Sequence, residues 1–94
     1  MQINNGRLIN ACKAAIERFH RDHQIQMVIE ECSELITAIL HRGRGKATES
    51  MVAGEAADCL IMSLQALLMF TANDDEAEAM LLHKLQRLEE RLGK

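Results

Sequence analysis

The feature that most limits the possible folds is the segment 51–70, an almost unbroken apolar stretch that carries two acidic residues, Glu55 and Asp58. Its polar residues do not form a separate face, which is typical of a helix covered on most sides. Ionised carboxylates on such a helix are costly unless a cation or hydrogen-bond donors compensate them. We therefore expect a buried helix whose two acids have a specific role.

The remainder of the chain is also rich in helix-forming residues. The whole chain contains no proline, tryptophan or tyrosine, and 48% of its residues are apolar. A chain of this length buries only about 60–65% of the surface that its unfolded form exposes. We predict that residues 1–94 form a single all-α domain, a four-helix bundle whose core is completed by contact with another subunit.

Capping signals predict where the first two helices begin and end. Asn4 or Asn5 can cap the first helix, and Asp22 can cap a second helix that runs from about residue 23 to residue 41. The glycines of segment 42–45 supply the backbone freedom that ends this helix. We expect a tight turn there.

Two more helices follow the turn. Thr48 or Glu49 opens a third helix that continues to about Phe70, and Asn73 with Glu76 resembles a capping box that opens a fourth. The fourth helix carries leucines at the spacing of a helix packed lengthwise on another: Leu81, Leu85, Leu88 and Leu92.

Charge, N-terminus and cysteine content argue against several classes of protein. A formal charge of −3 and the lack of aromatic stacking platforms are unfavourable for a nucleic-acid polymer. The N-terminus has no signal-peptide pattern, and every apolar run of membrane-spanning length contains an acidic residue. We therefore expect a cytoplasmic protein that does not bind membranes. Cys12, Cys32 and Cys59 are odd in number and widely spaced, which predicts reduced, buried thiols.

Acidic residues recur at one spacing on the second and third helices. Glu31 and Glu34 project from one helix face with Glu30 beside them, and Glu55 and Asp58 repeat the three-residue spacing. If the helices form an antiparallel hairpin, both pairs lie about equally far from the turn and meet at one height. Carboxylates brought together there would repel by several kcal/mol per close pair at an effective dielectric near 20.

A divalent cation would relieve this repulsion. An all-oxygen ligand set favours Mg²⁺, or Mn²⁺ in its place, over zinc. Either acidic pair alone is typical of a solvated helix face, whereas two pairs at one height, one of them on an apolar helix, favour a metal site. Gly54 leaves space beside the acids, either for close helix packing or for metal and substrate.

These motifs resemble those of a known family. Residues 30–35 read Glu-Glu-Cys-Ser-Glu-Leu, and residues 55–58 read Glu-Ala-Ala-Asp. The two motifs and their interval resemble the Glu-x-x-Glu and Glu-x-x-Asp motifs of MazG-like nucleotide pyrophosphohydrolases. The similarity extends from Gln24 through the turn to residues 84–88.

The resemblance implies a MazG-like all-α homodimer or homotetramer. Such a protein uses Mg²⁺ to cleave nucleoside triphosphates to the monophosphate and pyrophosphate, as in house-cleaning of the nucleotide pool. The implied metal ligands are Glu31, Glu34, Glu55 and Asp58. The implied catalytic residues, which would orient or deprotonate the attacking water, are Glu30 or Glu34. The implied substrate-binding residues are Gln24, Lys84, Arg87 and Arg91.

The basic residues of the fourth helix have two interpretations. Lys84, Arg87 and Arg91 fall on one stripe beside the leucines, where arginine suits bidentate contact with phosphate. They also fit a solvated face that pairs with Glu89 and Glu90 and is favoured by the helix dipole.

Two further functional hypotheses stay open. A carboxylate-bridged di-iron site wants Glu-x-x-His motifs on bundle helices, and only the Glu17/His20 pair fits that spacing, on a different helix. The chain can also be a non-catalytic dimerisation or regulatory module that binds a partner through its leucines and its apolar third helix.

Overall fold

A computed structural model describes residues 5–93, and within that range every regular element is a helix and there is no strand. This confirms the prediction of an all-α, four-helix chain, while the predicted association with another subunit stays a prediction. The helices are α1 (Asn5–Phe19), α2 (Arg21–Gly43), α3 (Glu49–Met69) and α4 (Asp74–Arg91).

A single residue separates α1 from α2. His20 has φ 70°, a left-handed backbone conformation that interrupts the helix, and its side chain makes no capping hydrogen bond. The prediction that Asp22 caps α2 is wrong, because α2 begins at Arg21 and Asp22 lies in its first turn. Asn5 is already helical, and the alternative cap, Asn4, lies outside the described residues.

The caps predicted for α3 and α4 are confirmed. The Thr48 side chain accepts a hydrogen bond from the Met51 backbone N–H at 3.1 Å. Asn73 accepts one from the Glu76 N–H at 2.9 Å, but the Glu76 carboxylate accepts from Ala72, one residue before the cap. Both helices therefore begin where short polar side chains satisfy otherwise unpaired N–H groups.

The α2–α3 hairpin forms the largest helix interface of the fold. Its turn has Gly45 at φ 73°, a conformation that strongly favours glycine, and an ion pair between Arg42 and Glu49 spans the turn. Deeper in the hairpin, the Gln24 amide donates to the Gln65 side-chain oxygen at 2.7 Å, and both side chains are buried. This hydrogen bond joins α2 to α3 well away from the turn.

The chain leaves much of its apolar surface open. Its accessible area is 7323 Å², whereas a folded monomer of this mass exposes about 5,500 Å². Its radius of gyration is 15.2 Å, against about 12 Å for a compact domain of this length. The few apolar residues that are buried within the described chain are Cys12, Ala38, Met62 and Ala77.

Helix α4 contributes most to this open shape. Among its described residues only Ala77 is buried, and its contact with α3 is the smallest helix interface of the fold. Leu81 lines an apolar cleft of about 430 Å³ beside Leu60, Leu64 and Leu67 of α3. The remaining leucines of α4 are exposed.

Helix α3 is long and apolar enough to cross a membrane on length and composition alone, with a mean hydropathy of 1.4 over its most apolar window. This is weak evidence, because core helices of soluble proteins pass the same test. Cytoplasmic location and lack of membrane binding therefore stay predictions.

Candidate metal centre

Acidic side chains of α2 and α3 meet on one side of the hairpin. One carboxylate oxygen from each of Glu31, Glu34 and Glu55 lies within 4.8 Å of the other two. Glu31 and Glu55 are half-buried, whereas Glu34 is exposed. We call these three residues the acidic cluster. Three of the four acids expected to meet at one height are thus close together, and Asp58 is not part of this group.

The register of the hairpin explains this meeting. Glu34 and Glu55 are equally far along the chain from the turn peptide between Arg44 and Gly45, and so are Gln24 and Gln65. The buried hydrogen bond between the two glutamines fixes the same register ten residues farther from the turn. The acids are therefore positioned by two continuous helices rather than by loops, which favours a rigid arrangement.

Two oxygens of the acidic cluster lack partners. Glu31 Oε2 and Glu55 Oε2 are shielded from solvent, and neither has a hydrogen-bond partner among the described residues. A buried oxygen without a donor is costly, since it has lost its hydration and gained nothing in return. Within the described residues, these two oxygens therefore lack a donor or cation that would offset the loss of hydration.

Electrostatics of the acidic cluster disfavour full ionisation. Burial raises the pKa of Glu31 above its ordinary value, and the charges of Glu34, Asp58 and Glu55 raise it further. Burial also raises the pKa of Glu55, and Glu34 and then Asp58 add to that shift. Glu31 and Glu55 thus hold their protons more tightly than a free carboxyl group does, as expected when like charges share a site.

The oxygen atoms present fit a hard divalent cation. Carboxylate oxygens are the ligands that Mg²⁺ and Mn²⁺ prefer, and a cation would both relieve the mutual repulsion and complete the two shielded oxygens. Glu31, Glu34 and Glu55 would hold such an ion, with Glu34 on the solvent side. Three carboxylates from one chain leave coordination positions for water or phosphate.

Asp58 and Glu30 lie outside the acidic cluster. Both are exposed. Asp58 is nevertheless close enough for its charge to raise the pKa of Glu31 and Glu55. Asp58 thus acts on the acidic cluster through its charge without being part of it, and no contact in the described chain joins Glu30 to the other acids.

The residues expected to bind substrate are not gathered at the acidic cluster. Gln24 is buried, and its amide contacts Gln65 and His23. Lys84, Arg87 and Arg91 are exposed on α4, and within residues 5–93 they make no hydrogen bond or ion pair with the acids. A single chain therefore brings together three of the four expected metal ligands, Glu31, Glu34 and Glu55, but does not add the basic residues of α4 to them.

A thiol pair beside the acidic cluster was missed by the sequence reasoning. Cys32 Sγ and Cys59 Sγ lie 3.1 Å apart, and Ser63 Oγ is 3.8 Å from the Cys59 sulfur. All three cysteines are free, but only Cys12 is buried, while Cys32 and Cys59 are half-buried. The hydrogen bond with Cys59, followed by burial, raises the pKa of the Cys32 thiol. Cys32 lies 12 residues before Arg44 and Cys59 lies 14 after Gly45, so counting from the turn leaves the two cysteines two residues out of register.

Gly54 does not serve close packing within the described chain. A Cβ placed on this residue would meet no heavy atom within 4 Å. Of the two roles considered for Gly54, close approach of helices within the chain is therefore not supported. The glycine keeps open space next to Glu55.

Comparison with known proteins yields no relative. No protein-family model matches the chain, and neither a curated protein nor a solved structure does.

Proposed function

We propose that this chain is a Mg²⁺-dependent nucleoside triphosphate pyrophosphohydrolase that cleaves ribo- or deoxynucleoside triphosphates to the monophosphate and pyrophosphate. The observation that carries the proposal is the acidic cluster, with its two shielded and unpartnered oxygens on Glu31 and Glu55. The motif resemblance supplies the reaction type. Removal of unwanted nucleotides from the pool is the cellular role that we propose for it.

The residues divide into holding and activating groups. Glu31 and Glu55 are half-buried on facing helices and would fix the cation, which supplies charge neutralisation for the triphosphate and activates water when bound. Glu34 is exposed, so its carboxylate can also accept a hydrogen bond from the attacking water and orient it. Glu30 is the alternative acceptor of this hydrogen bond from the attacking water, and Asp58 is a further ligand of the cation.

Phosphate contact requires basic groups that a single chain leaves away from the acids. We propose that Lys84, Arg87 and Arg91 approach the acidic cluster of a second copy, because α4 carries an exposed apolar face with little contact to its own chain. The chain exposes roughly 1,800 Å² more than a compact monomer of its mass would. That excess exceeds the roughly 800 Å² per partner buried in a standard interface.

A protein subunit suits the open face of α3 better than lipid does. Glu55 and Asp58 lie in the middle part of α3, where a membrane-spanning helix would place them at hydrocarbon depth. Acidic residues are expensive there unless they face a protein interior or a water-filled cavity. We therefore propose a homodimer or homotetramer with no membrane.

The decisive test is a pyrophosphate-release screen across ribo- and deoxynucleoside triphosphates with Mg²⁺ or Mn²⁺. We expect release by the native chain, and a loss of more than about 100-fold in Glu31→Gln, since removing a ligand should exceed the 10–100-fold typical of an outer-shell partner. Glu89→Gln, an exposed acid of α4, is the matched control and should keep full activity. No release from any of these triphosphates would overturn the proposal.

A second candidate is a non-catalytic dimerisation or regulatory module. The exposed leucines of α4 favour it, because they offer a binding surface that requires no chemistry. On this alternative, Glu55→Gln and Asp58→Asn leave stability unchanged or raise it, and divalent ions have no effect. The hydrolase proposal instead expects Mg²⁺ to raise the melting temperature of the native chain and not of these variants.

A further inference from the structure

The cysteines Cys32 and Cys59 form a contact that the proposed hydrolysis does not use. Their sulfur atoms are 3.1 Å apart across the α2–α3 interface, and both side chains are half-buried rather than enclosed. A disulfide bond is about 2.0 Å long, so the two sulfurs need to approach by only about 1 Å more. The third thiol, Cys12, is buried and contacts the Ile61 carbonyl oxygen instead.

We propose that Cys32 and Cys59 are a modification site, a dithiol that small-molecule disulfides convert to an intramolecular disulfide joining α2 to α3. The inference concerns thiol chemistry alone and does not depend on the proposed hydrolase activity. Two features of the molecule support it: the sulfurs already touch, and solvent reaches the pair.

The reaction balances with a disulfide such as oxidised glutathione as the oxidant. The thiolate of one cysteine attacks a sulfur of the reagent, which gives a mixed disulfide and releases one thiol. The second cysteine then attacks the protein sulfur of that mixed disulfide and displaces the second thiol. Two electrons leave the protein, and the two protons of the cysteine thiols end on the two released reagent thiols.

The product would fix the spacing of the helices beside the acidic cluster. Cys32 follows Glu31 directly in α2, and Cys59 follows Asp58 in α3. The cross-link therefore holds α2 and α3 together within one residue of two of the acids. A thiol reductant would restore the free dithiol.

Tryptic digestion can resolve this site, because the three cysteines fall in three different peptides, residues 8–13, 22–42 and 47–84. The reduced full chain is incubated with oxidised glutathione near pH 8.5, where free cysteine is about half thiolate, and is then alkylated, digested and analysed by mass spectrometry. We expect peptides 22–42 and 47–84 to be cross-linked and peptide 8–13 to be alkylated, in protein that stays monomeric on a non-reducing denaturing gel.

Single variants separate ring closure from simple surface reactivity. Cys32→Ser and Cys59→Ser should each accumulate the glutathione mixed disulfide on the remaining cysteine of the pair, whereas Cys12→Ser should cross-link as the native chain does. The oxidised native chain should melt at a higher temperature than the reduced one, because the closed loop restricts the unfolded chain.

Three results would overturn the proposal. The first is native protein that stops at mixed disulfides on both cysteines, and the second is a cross-link found only between chains. The third is an oxidised form that melts no higher than the reduced form, which would mean that the native helix spacing does not accommodate the bond.

Discussion

The α2–α3 hairpin and helix α4 differ in how much of their structure the chain itself determines. The hairpin has a glycine turn, an ion pair across that turn, a buried glutamine hydrogen bond and a contact between two thiols. Helix α4 has a well-formed N-terminal cap, but beyond Ala77 and Leu81 its apolar side contacts little of its own chain. Contacts within the chain determine how the hairpin is arranged, whereas for α4 they determine little beyond the fact that it is a helix.

This difference separates what contacts within one chain determine from what they leave open. In the hairpin, polar contacts and register agree on one arrangement, so the acids meet for reasons that lie within 94 residues. Leu85 and Leu88 of α4, and Leu92 directly after it, are exposed by 48%, 49% and 64% of their surface. Leucines at this spacing are typical of a helix that packs on another, and contacts within the described chain do not cover these side chains.

The largest effect is expected from shortening the leucines of α4. A buried leucine contributes about 2 kcal/mol relative to an exposed one, and a symmetric dimer would contain Leu85 and Leu88 twice. Replacing both with alanine should therefore raise the dimer dissociation constant by at least about 1,000-fold. Sedimentation equilibrium measures this constant.

The matched control for α4 is the pair of exposed substitutions Gln86→Ala and Glu89→Ala, which should leave association unchanged. If the native chain is monomeric at concentrations near 100 μM, where even a weak specific interface shows, then the open face of α4 is not a self-association surface. A different binding partner would then be needed to cover the apolar face of α4.

A smaller effect is expected inside the hairpin. Gln24→Leu leaves the buried Gln65 amide without its partner, and an unsatisfied buried polar group costs about 1–3 kcal/mol. The double variant Gln24→Leu/Gln65→Leu should recover part of that loss, because it removes both polar groups. Urea unfolding of the single and double variants measures these losses of stability. A double variant that loses more stability than the two single variants together would contradict a paired role.

The same cap substitution can be made in both regions. Thr48→Ala at the start of α3 and Asn73→Ala at the start of α4 each remove a side-chain acceptor for a backbone N–H, which costs about 1 kcal/mol. We expect the loss from Thr48→Ala to appear in global unfolding. The loss from Asn73→Ala should appear mainly as faster amide hydrogen exchange in α4, and equal effects on global unfolding would show that α4 folds as one unit with the hairpin.

The smallest effect is expected from the pH dependence of the acidic cluster, because its carboxyl groups are partly exposed and solvent screens them. The pKa of Glu31 and Glu55 is raised above 4.5 in the folded chain, so the folded state binds more protons than the unfolded state. Their contribution to stability is thus fully present below pH 4.5 and is lost as the pH rises through the raised values.

Comparison with Glu31→Gln isolates this contribution. Native protein and Glu31→Gln should be about equally stable at pH 4.5, and the native chain should become the less stable of the two toward neutral pH. Added Mg²⁺ should close the gap for the native chain. A difference between the two that does not change with pH would rule out a shifted titration.

Much of the hairpin could be predicted from the sequence because its signals are local. Thr48 caps α3 as expected, and counting from the turn places acids of α2 beside acids of α3. The cap that Asn73 supplies to α4 is a local signal of the same kind. The same count from the turn leaves Cys32 and Cys59 two residues out of register, so the sequence predicts separate buried thiols rather than a pair. The prediction that Asp22 caps α2 is wrong. Helix α2 instead follows His20, which adopts a left-handed conformation without a cap hydrogen bond, and no residue pattern at that point predicts this conformation.

The placement of α4 and of its basic residues could not be predicted in the same way. The spacing of its leucines indicates that the helix packs on something, but hydrophobic spacing does not specify which surface covers it. Nor does it show whether Lys84, Arg87 and Arg91 reach phosphates or solvent, because that depends on contacts outside the helix. Gln24 had been expected to bind substrate, and its polarity alone gave no sign of a buried partner 41 residues away.

The most direct test of the account is a titration with Mn²⁺ in the presence of a non-hydrolysable nucleoside triphosphate, followed by electron paramagnetic resonance. The account predicts that native protein and Glu89→Gln bind the ion with equal affinity. Glu31→Gln on α2 and Glu55→Gln on α3 should each bind it at least about 100-fold more weakly, since both helices would hold the same ion. Absence of Mn²⁺ binding by the native chain, or binding that neither substitution weakens, would contradict the claim that the two helices share a cation.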